Sequence, residues 1–169
     1  CASISDTSGA LLFYSAYDAD VYLNGGPPFN GGEVYNKSNA LMVNGDLIVM
    51  GLWYMEAVIV DNPISSNQFY LFSIGVTGNY GLYYSMVDMT LDSGFGGVTQ
   101  KNVQLLPYAA TDGLTCVKHG NGRDWWVIFR KNGYYAGWYD NRFYKYLVSP
   151  AGINLVDSQG IGSLDLSGL

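Results

Sequence analysis

Apolar and polar positions alternate in short runs along the chain, and the same order of runs returns three times with a period of about 55 residues. Each copy opens on a short alternating segment: Ala2-Ser3-Ile4-Ser5-Asp6, then Ala57-Val58-Ile59-Val60-Asp61, then Thr115-Cys116-Val117-Lys118-His119. A polar turn follows, at Ser8-Gly9, Asn62-Pro63 and Asn121-Gly122. These dipeptides supply the left-handed or proline-fixed backbone angles that reverse a chain between antiparallel strands. The second run is aromatic and aliphatic, at Leu11 to Tyr14, Phe69 to Phe72 and Trp125 to Phe129. A Tyr-rich third run follows at Leu82 to Val87 and Phe143 to Val148, with a weaker counterpart at Val21 to Leu23. Fourth strands are predicted at Leu41 to Val43, Val98 to Val103 and Ile153 to Val156.

No window of helical length carries an apolar stripe free of Gly or Pro, so helix content should be low. A unit of four antiparallel strands with apolar residues on both faces cannot bury those faces alone and must stack on its own copies. The expected fold is therefore all-β and propeller-like, with about three four-stranded antiparallel blades near residues 1–55, 56–113 and 114–169. Closed propellers usually have four to eight blades. Three make a partial ring, read here as a single domain from a longer polypeptide or one completed by another chain. A two-sheet β-sandwich is the alternative.

Composition narrows the function classes. Fourteen acidic and eight basic side chains leave a net charge of −6, which repels a phosphate backbone or an anionic bilayer, so nucleic acid is not an expected partner. The longest apolar run, Leu47 to Met55, is about half of what a bilayer-spanning helix needs, so no membrane span is predicted. Alternation begins directly after Cys1, which favours a strand start over the flexible tether of a lipidated cysteine.

Candidate chemistry is sparse. His119 is the only histidine, which removes metal sites and proton relays built on several imidazoles. With Arg123 and Asp124 at the same turn it could form an acid–base pair, but the stronger expectation is that Asp124 and Arg123 satisfy turn backbone groups and each other while His119 makes a single hydrogen bond. Glu33, Glu56, Asp88 and Asp124 leave open a carboxylate pair for glycoside hydrolysis, although nothing selects a pair. Asp18-Ala19-Asp20 starts like a calcium loop, but Tyr22 and the missing later Glu break the pattern. No catalytic residue, metal or cofactor is predicted. Cys1 and Cys116 belong to the first and third repeats, so the expectation is buried free thiols or a partner elsewhere rather than a mutual disulfide.

The aromatic loops are the most informative binding feature. Tyr134, Tyr135, Trp138 and Tyr139 crowd one loop, and Tyr17, Tyr22, Phe29 and Tyr35 punctuate a Gly-rich insertion from Tyr17 to Tyr35. Flat rings with polar rims stack on sugar faces and anchor proteins, so Tyr134, Tyr135, Trp138, Tyr139, Tyr17 and Tyr22 are the predicted ligand contacts for a glycan or a protein.

The segments CASISDTSGALLFYS at 1–15, GLYYSMVDMTLDSGFGGVTQKNVQLL at 81–106, LTCVKHGNGRDWWVI at 114–128 and FYKYLVSPAGI at 143–153 together resemble one family. It comprises the propeller-like N-terminal regions of large secreted or surface proteins of Bacteroidota, of the gliding-motility-associated, type IX secretion cargo kind. The resemblance implies an exported adhesive or structural protein of the cell surface, and it carries over no catalytic residues. This sequence departs from the family pattern in the insertion 17–35, in the apolar run 47–55 and in the aromatic loop 132–141. The reading on sequence is a non-enzymatic binding module. Its alternatives are a purely structural module of a filament or adhesin, and a carbohydrate-active enzyme with paired carboxylates.

Overall fold

The computed structural model describes residues 1–18, 31–51, 55–75, 81–107, 113–131 and 141–162. Among them the chain is all-β, with no α-helix and one 3-10 turn at Asp92–Gly94. Eleven strands form three antiparallel sheets that do not close on themselves. Sheet 1 contains β1 (Ala2–Ser5), β2 (Leu11–Tyr17) and β3 (Gly32–Asn36). In sheet 2 lie β4 (Ala57–Asn62), β5 (Ser65–Gly75), β6 (Gly81–Asp88) and β7 (Gly97–Leu106). Sheet 3 holds β8 (Thr115–Lys118), β9 (Trp125–Arg130), β10 (Arg142–Ser149) and β11 (Gly152–Gly160). Each sheet is a meander in which neighbours in sequence are neighbours in space.

The continuous apolar run of β5 reflects burial on both faces of sheet 2. Phe69 and Leu71 join Phe13, Val34, Ile48 and Val87 in a core between sheets 1 and 2. The alternate residues Tyr70, Phe72 and Ile74 join Val127, Phe129, Tyr146 and Val148 in a second core between sheets 2 and 3. Each fully buried side chain of this size contributes roughly 1.5–3 kcal/mol. Between sheets, the strands in closest contact are β1 with β4 and β4 with β8. The sheets therefore converge along their first strands, and the two cores fill the space farther out.

Three expectations need correction. Among the described residues the first repeat has three regular strands, and the strand expected at Leu41 to Val43 is not one of them. Its fourth segment is held only by single bridges, Leu41 to Tyr35, Ile48 to Gly32 and Val43 to Gly97. Positive φ at Asn44 (57°) and Leu47 (53°) breaks the extended conformation a strand needs. The segment instead ties two sheets together: Asn44 Nδ2 donates to the Val98 carbonyl (2.9 Å) and Val49 N–H donates to Asn102 Oδ1 (2.9 Å). Second, the insertion read from Tyr17 to Tyr35 contains most of β3, while the strand expected at Val21 to Leu23 lies outside the described residues. Third, both cysteines are free, but Cys1 is exposed and Cys116 half-buried. They line one cavity, because the starts of β1, β4 and β8 converge instead of standing a full sheet apart.

Candidate functional site

In the turn after the first strand of every sheet, an Asp or Asn side-chain oxygen accepts from backbone amides two to four residues on. Asp6 Oδ1 accepts from the N–H of Ser8 (2.8 Å), from the Ser8 hydroxyl (2.6 Å) and from the N–H of Ala10 (3.0 Å). Asn62 Oδ1 accepts from Ile64 N–H (3.2 Å), and Asn121 Oδ1 accepts from Arg123 N–H and Asp124 N–H (both 3.0 Å). An Asx side chain that captures the amide two residues on substitutes for a backbone turn, and this fixes the loop at low entropic cost.

These three turns meet at one end of the molecule and enclose an open cleft of about 630 Å³. Sheet 1 contributes Ser5, Asp6 and Thr7, sheet 2 contributes Asp61 to Ser66, and sheet 3 contributes Lys118, Gly122 and Arg123. Leu12, Pro63 and the exposed Ile64 supply apolar lining, with the buried Phe69 behind them. The volume suits a small ligand, and the mixture of an apolar lining with convergent polar groups is typical of binding sites.

The rim carries both signs of charge. Lys118 Nζ lies 3.4 Å from Asp61 Oδ2 and 4.2 Å from the centre of the Trp125 ring. Arg123 grips Asp124 through Nε (2.7 Å) and Nη2 (3.3 Å), while its own side chain remains 56% exposed. The guanidinium holds the Asp124 carboxyl below the usual carboxylate range, and Asn121 Nδ2 adds a bond at 2.8 Å. The Ser8 hydroxyl is the main cause of a similar depression at Asp6. His119 Nδ1 accepts from Asn121 N–H (3.1 Å), and its ring lies 5.4 Å from that of Trp126. Arg123 and Asp124 thus satisfy each other, while Asn121 and His119 serve the turn backbone.

The four carboxylates weighed for hydrolysis are not brought together in the cleft. Each has local donors: Tyr35 hydroxyl for Glu33, Gly51 N–H (2.7 Å) for Glu56, Gln68 and Thr90 for Asp88, and Arg123 for Asp124. Asp88 also joins a chain that runs from Asn62 Nδ2 to Gln68 Oε1 (3.1 Å) and from Gln68 Nε2 to Asp88 Oδ2 (3.0 Å), bracing the sheet 2 turn. No group of three His, Cys, Asp or Glu able to hold a metal occurs among the described residues.

Of the predicted ligand contacts, Tyr22, Tyr134, Tyr135, Trp138 and Tyr139 lie outside the described residues, as do Ala19 and Asp20 of the calcium-like segment. Tyr17 ends β2 and is half-buried against the core between sheets 1 and 2. A Cβ added at Gly31 would fall 2.5 Å from its ring, so the ring lies directly on that backbone. Tyr35 stacks on Tyr14 with ring centres 5.2 Å apart. The strand ends that flank the aromatic loops, at Tyr17, Gly32, Arg130 and Arg142, stand away from the cleft, because β2 and β9 leave the cleft at their first residues.

Sequence reasoning missed the cleft residues Asp61, Asn62, Lys118 and the hydroxyls of Ser65 and Ser66. A signal was present: an Asx residue lies within three residues of the end of each first strand, which predicts side-chain-closed turns on one end of the array. The chain matches no protein-family model, no curated protein and no solved structure.

Proposed function

We propose that the chain is a non-enzymatic binding module, built as consecutive blades of an incomplete propeller, whose cleft takes a glycan. One observation carries this reading: the first turns of all three sheets meet in a single cleft lined by apolar side chains and by hydroxyl, amide and charged groups. Sugars present the matching surface, with C–H faces for Leu12 and the exposed Ile64 and hydroxyls for Asp6, Asn62 and Arg123. The propeller reading is supported by sheet 2 being covered on both faces and by convergence along β1, β4 and β8, since a two-sheet sandwich buries only one face of each sheet. The exported, surface-attached setting rests on the motif resemblance alone.

A specific feature favours the structural alternative as a second reading. The face of sheet 3 turned from sheet 2 carries Val117, Trp126 and Leu147 as cross-strand partners, with Val117 52% exposed. Such a row suits packing against a further sheet or domain.

A glycan array probed with the chain and with the Arg123→Ala/Lys118→Ala variant tests the leading reading. Binding by the parent chain that falls at least about tenfold in the variant supports the cleft. A blank array removes the glycan reading. If Trp138→Ala abolishes binding while the double variant retains it, the ligand sits on the aromatic loops instead.

A further inference from the structure

At the end of the array opposite the cleft, the starts of β1, β4 and β8 enclose a second cavity of about 440 Å³. Its lining is unusual in one respect: it contains both cysteines of the chain, Cys1 and Cys116, together with Met55. Among the described residues the remaining lining is Ala57, Val58, Leu114 and Thr115, whose one side-chain oxygen is the Thr115 hydroxyl. The sulfur-bearing residues come from three different sheet entrances. Leu114 N–H donates to the Met55 carbonyl at 3.0 Å, which ties the approach to β8 to the approach to β4. Met55 is held at φ 51°, a left-handed conformation that a long side chain rarely adopts, and it is 62% exposed.

We propose that Cys1, Cys116 and Met55 form a binding site for a soft monovalent cation, Cu(I), in which two thiolates and one thioether supply the donors. Thiolate and thioether sulfur select soft ions over Mg²⁺, Ca²⁺ and Mn²⁺, which require oxygen. Zinc is disfavoured because structural zinc sites take four thiolate or imidazole ligands, and the only histidine lies at the other end of β8. Binding changes no oxidation state: Cu(I) enters, each thiol loses one proton to solvent, and the thioether donates a lone pair. The cavity is larger than a bare ion, and exposed Met55 has the torsional freedom to close over it. Cys116 lies in β8, and Cys1 directly precedes β1, so the bound ion would staple sheet 1 to sheet 3 at the cavity they share beside β4.

The test is anaerobic titration of the reduced chain with Cu(I), using Ag(I) as an air-stable probe, with stoichiometry read by native mass spectrometry. One ion per chain is expected, and Cys1→Ser and Cys116→Ser should each weaken affinity by more than about 100-fold, with Met55→Leu weakening it about tenfold. Cys1 is exposed, so Cys1→Ser leaves the fold intact and keeps the test meaningful if Cys116→Ser misfolds. Undiminished affinity in Cys1→Ser, one ion shared by two chains, or a preference for Zn(II) over Cu(I) would overturn the proposal.

Discussion

Lys118 Nζ reaches Asp61 Oδ2 at 3.4 Å and thereby links the last residue of β8 to β4 across the boundary between sheets 3 and 2. The side chains are 40% and 47% exposed, so water competes for both charges. Such a pair contributes under about 1 kcal/mol to stability. A double-mutant cycle of Lys118→Met and Asp61→Asn, read by urea denaturation, should give a coupling in that range that shrinks with added salt. A coupling several times larger, or one insensitive to salt, would mean the pair is shielded from water and the cleft narrower than described.

Gly81 opens β6 at φ 137°, and a Cβ there would fall 2.0 Å from the Leu106 carbonyl oxygen. That oxygen belongs to β7, the ladder partner of β6, so relief requires the two strands to separate. Gly81→Ala should destabilise the chain by about 2–4 kcal/mol. Gly120 is the matched control. Nothing lies within 4 Å of its added Cβ, so Gly120→Ala should stay within about 0.5 kcal/mol of the parent. Equal thermal midpoints for the two variants would contradict the β6–β7 geometry.

How much of this was legible in the sequence depended on whether a strand announces itself by period. Ala2 to Asp6 does so by alternation and Trp125 to Phe129 by a continuous apolar run, and both contain strands. Gly32–Asn36 does not: it begins on Gly, ends on Asn and lies inside a Gly-rich stretch, so turn chemistry outweighed its two apolar residues. Its identity is set by pairing instead, with Tyr14 opposite Tyr35 and Ser15 opposite Val34. The cleft was hidden for another reason. Asp6, Asn62 and the Asn121–Asp124 turn read individually as turn segments, and only the convergence of the first strands brings Asp6, Asn62, Gly122 and Arg123 to one cleft.

Two buried serines of sheet 2 should respond in opposite directions. Ser73 is fully buried in β5, and its hydroxyl has no hydrogen-bond partner among the described residues. Ser85, equally buried in β6, accepts from Asn102 N–H at 3.1 Å. Ser73→Ala should therefore be neutral or stabilising by up to about 1 kcal/mol, whereas Ser85→Ala strands a backbone donor and should cost about 1–2 kcal/mol. Denaturant midpoints of both variants, at unchanged m-value, decide it.

The pH dependence follows from two sets of groups with opposite signs. Asp124 is held below its ordinary value of 3.8 by Arg123, and Asp46 by Lys101 at 2.7 Å. In the folded state both release protons at lower pH than in the unfolded chain. Their stabilisation is present above about pH 4 and is lost as the pH falls through the folded-state values. Tyr70, Tyr83 and Tyr146 are displaced the other way, pushed above 10.0 by burial. Burial favours their neutral phenols, so that contribution is complete below about pH 10 and fades as the pH rises through the raised values. Thermal midpoints should form a plateau from about pH 5 to 9 with a fall on each side. Asp124→Asn should flatten the acid limb and leave the alkaline limb unchanged, while Tyr70→Phe should do the reverse. An acid limb of the same slope in Asp124→Asn would show that the Arg123 contact does not persist in solution.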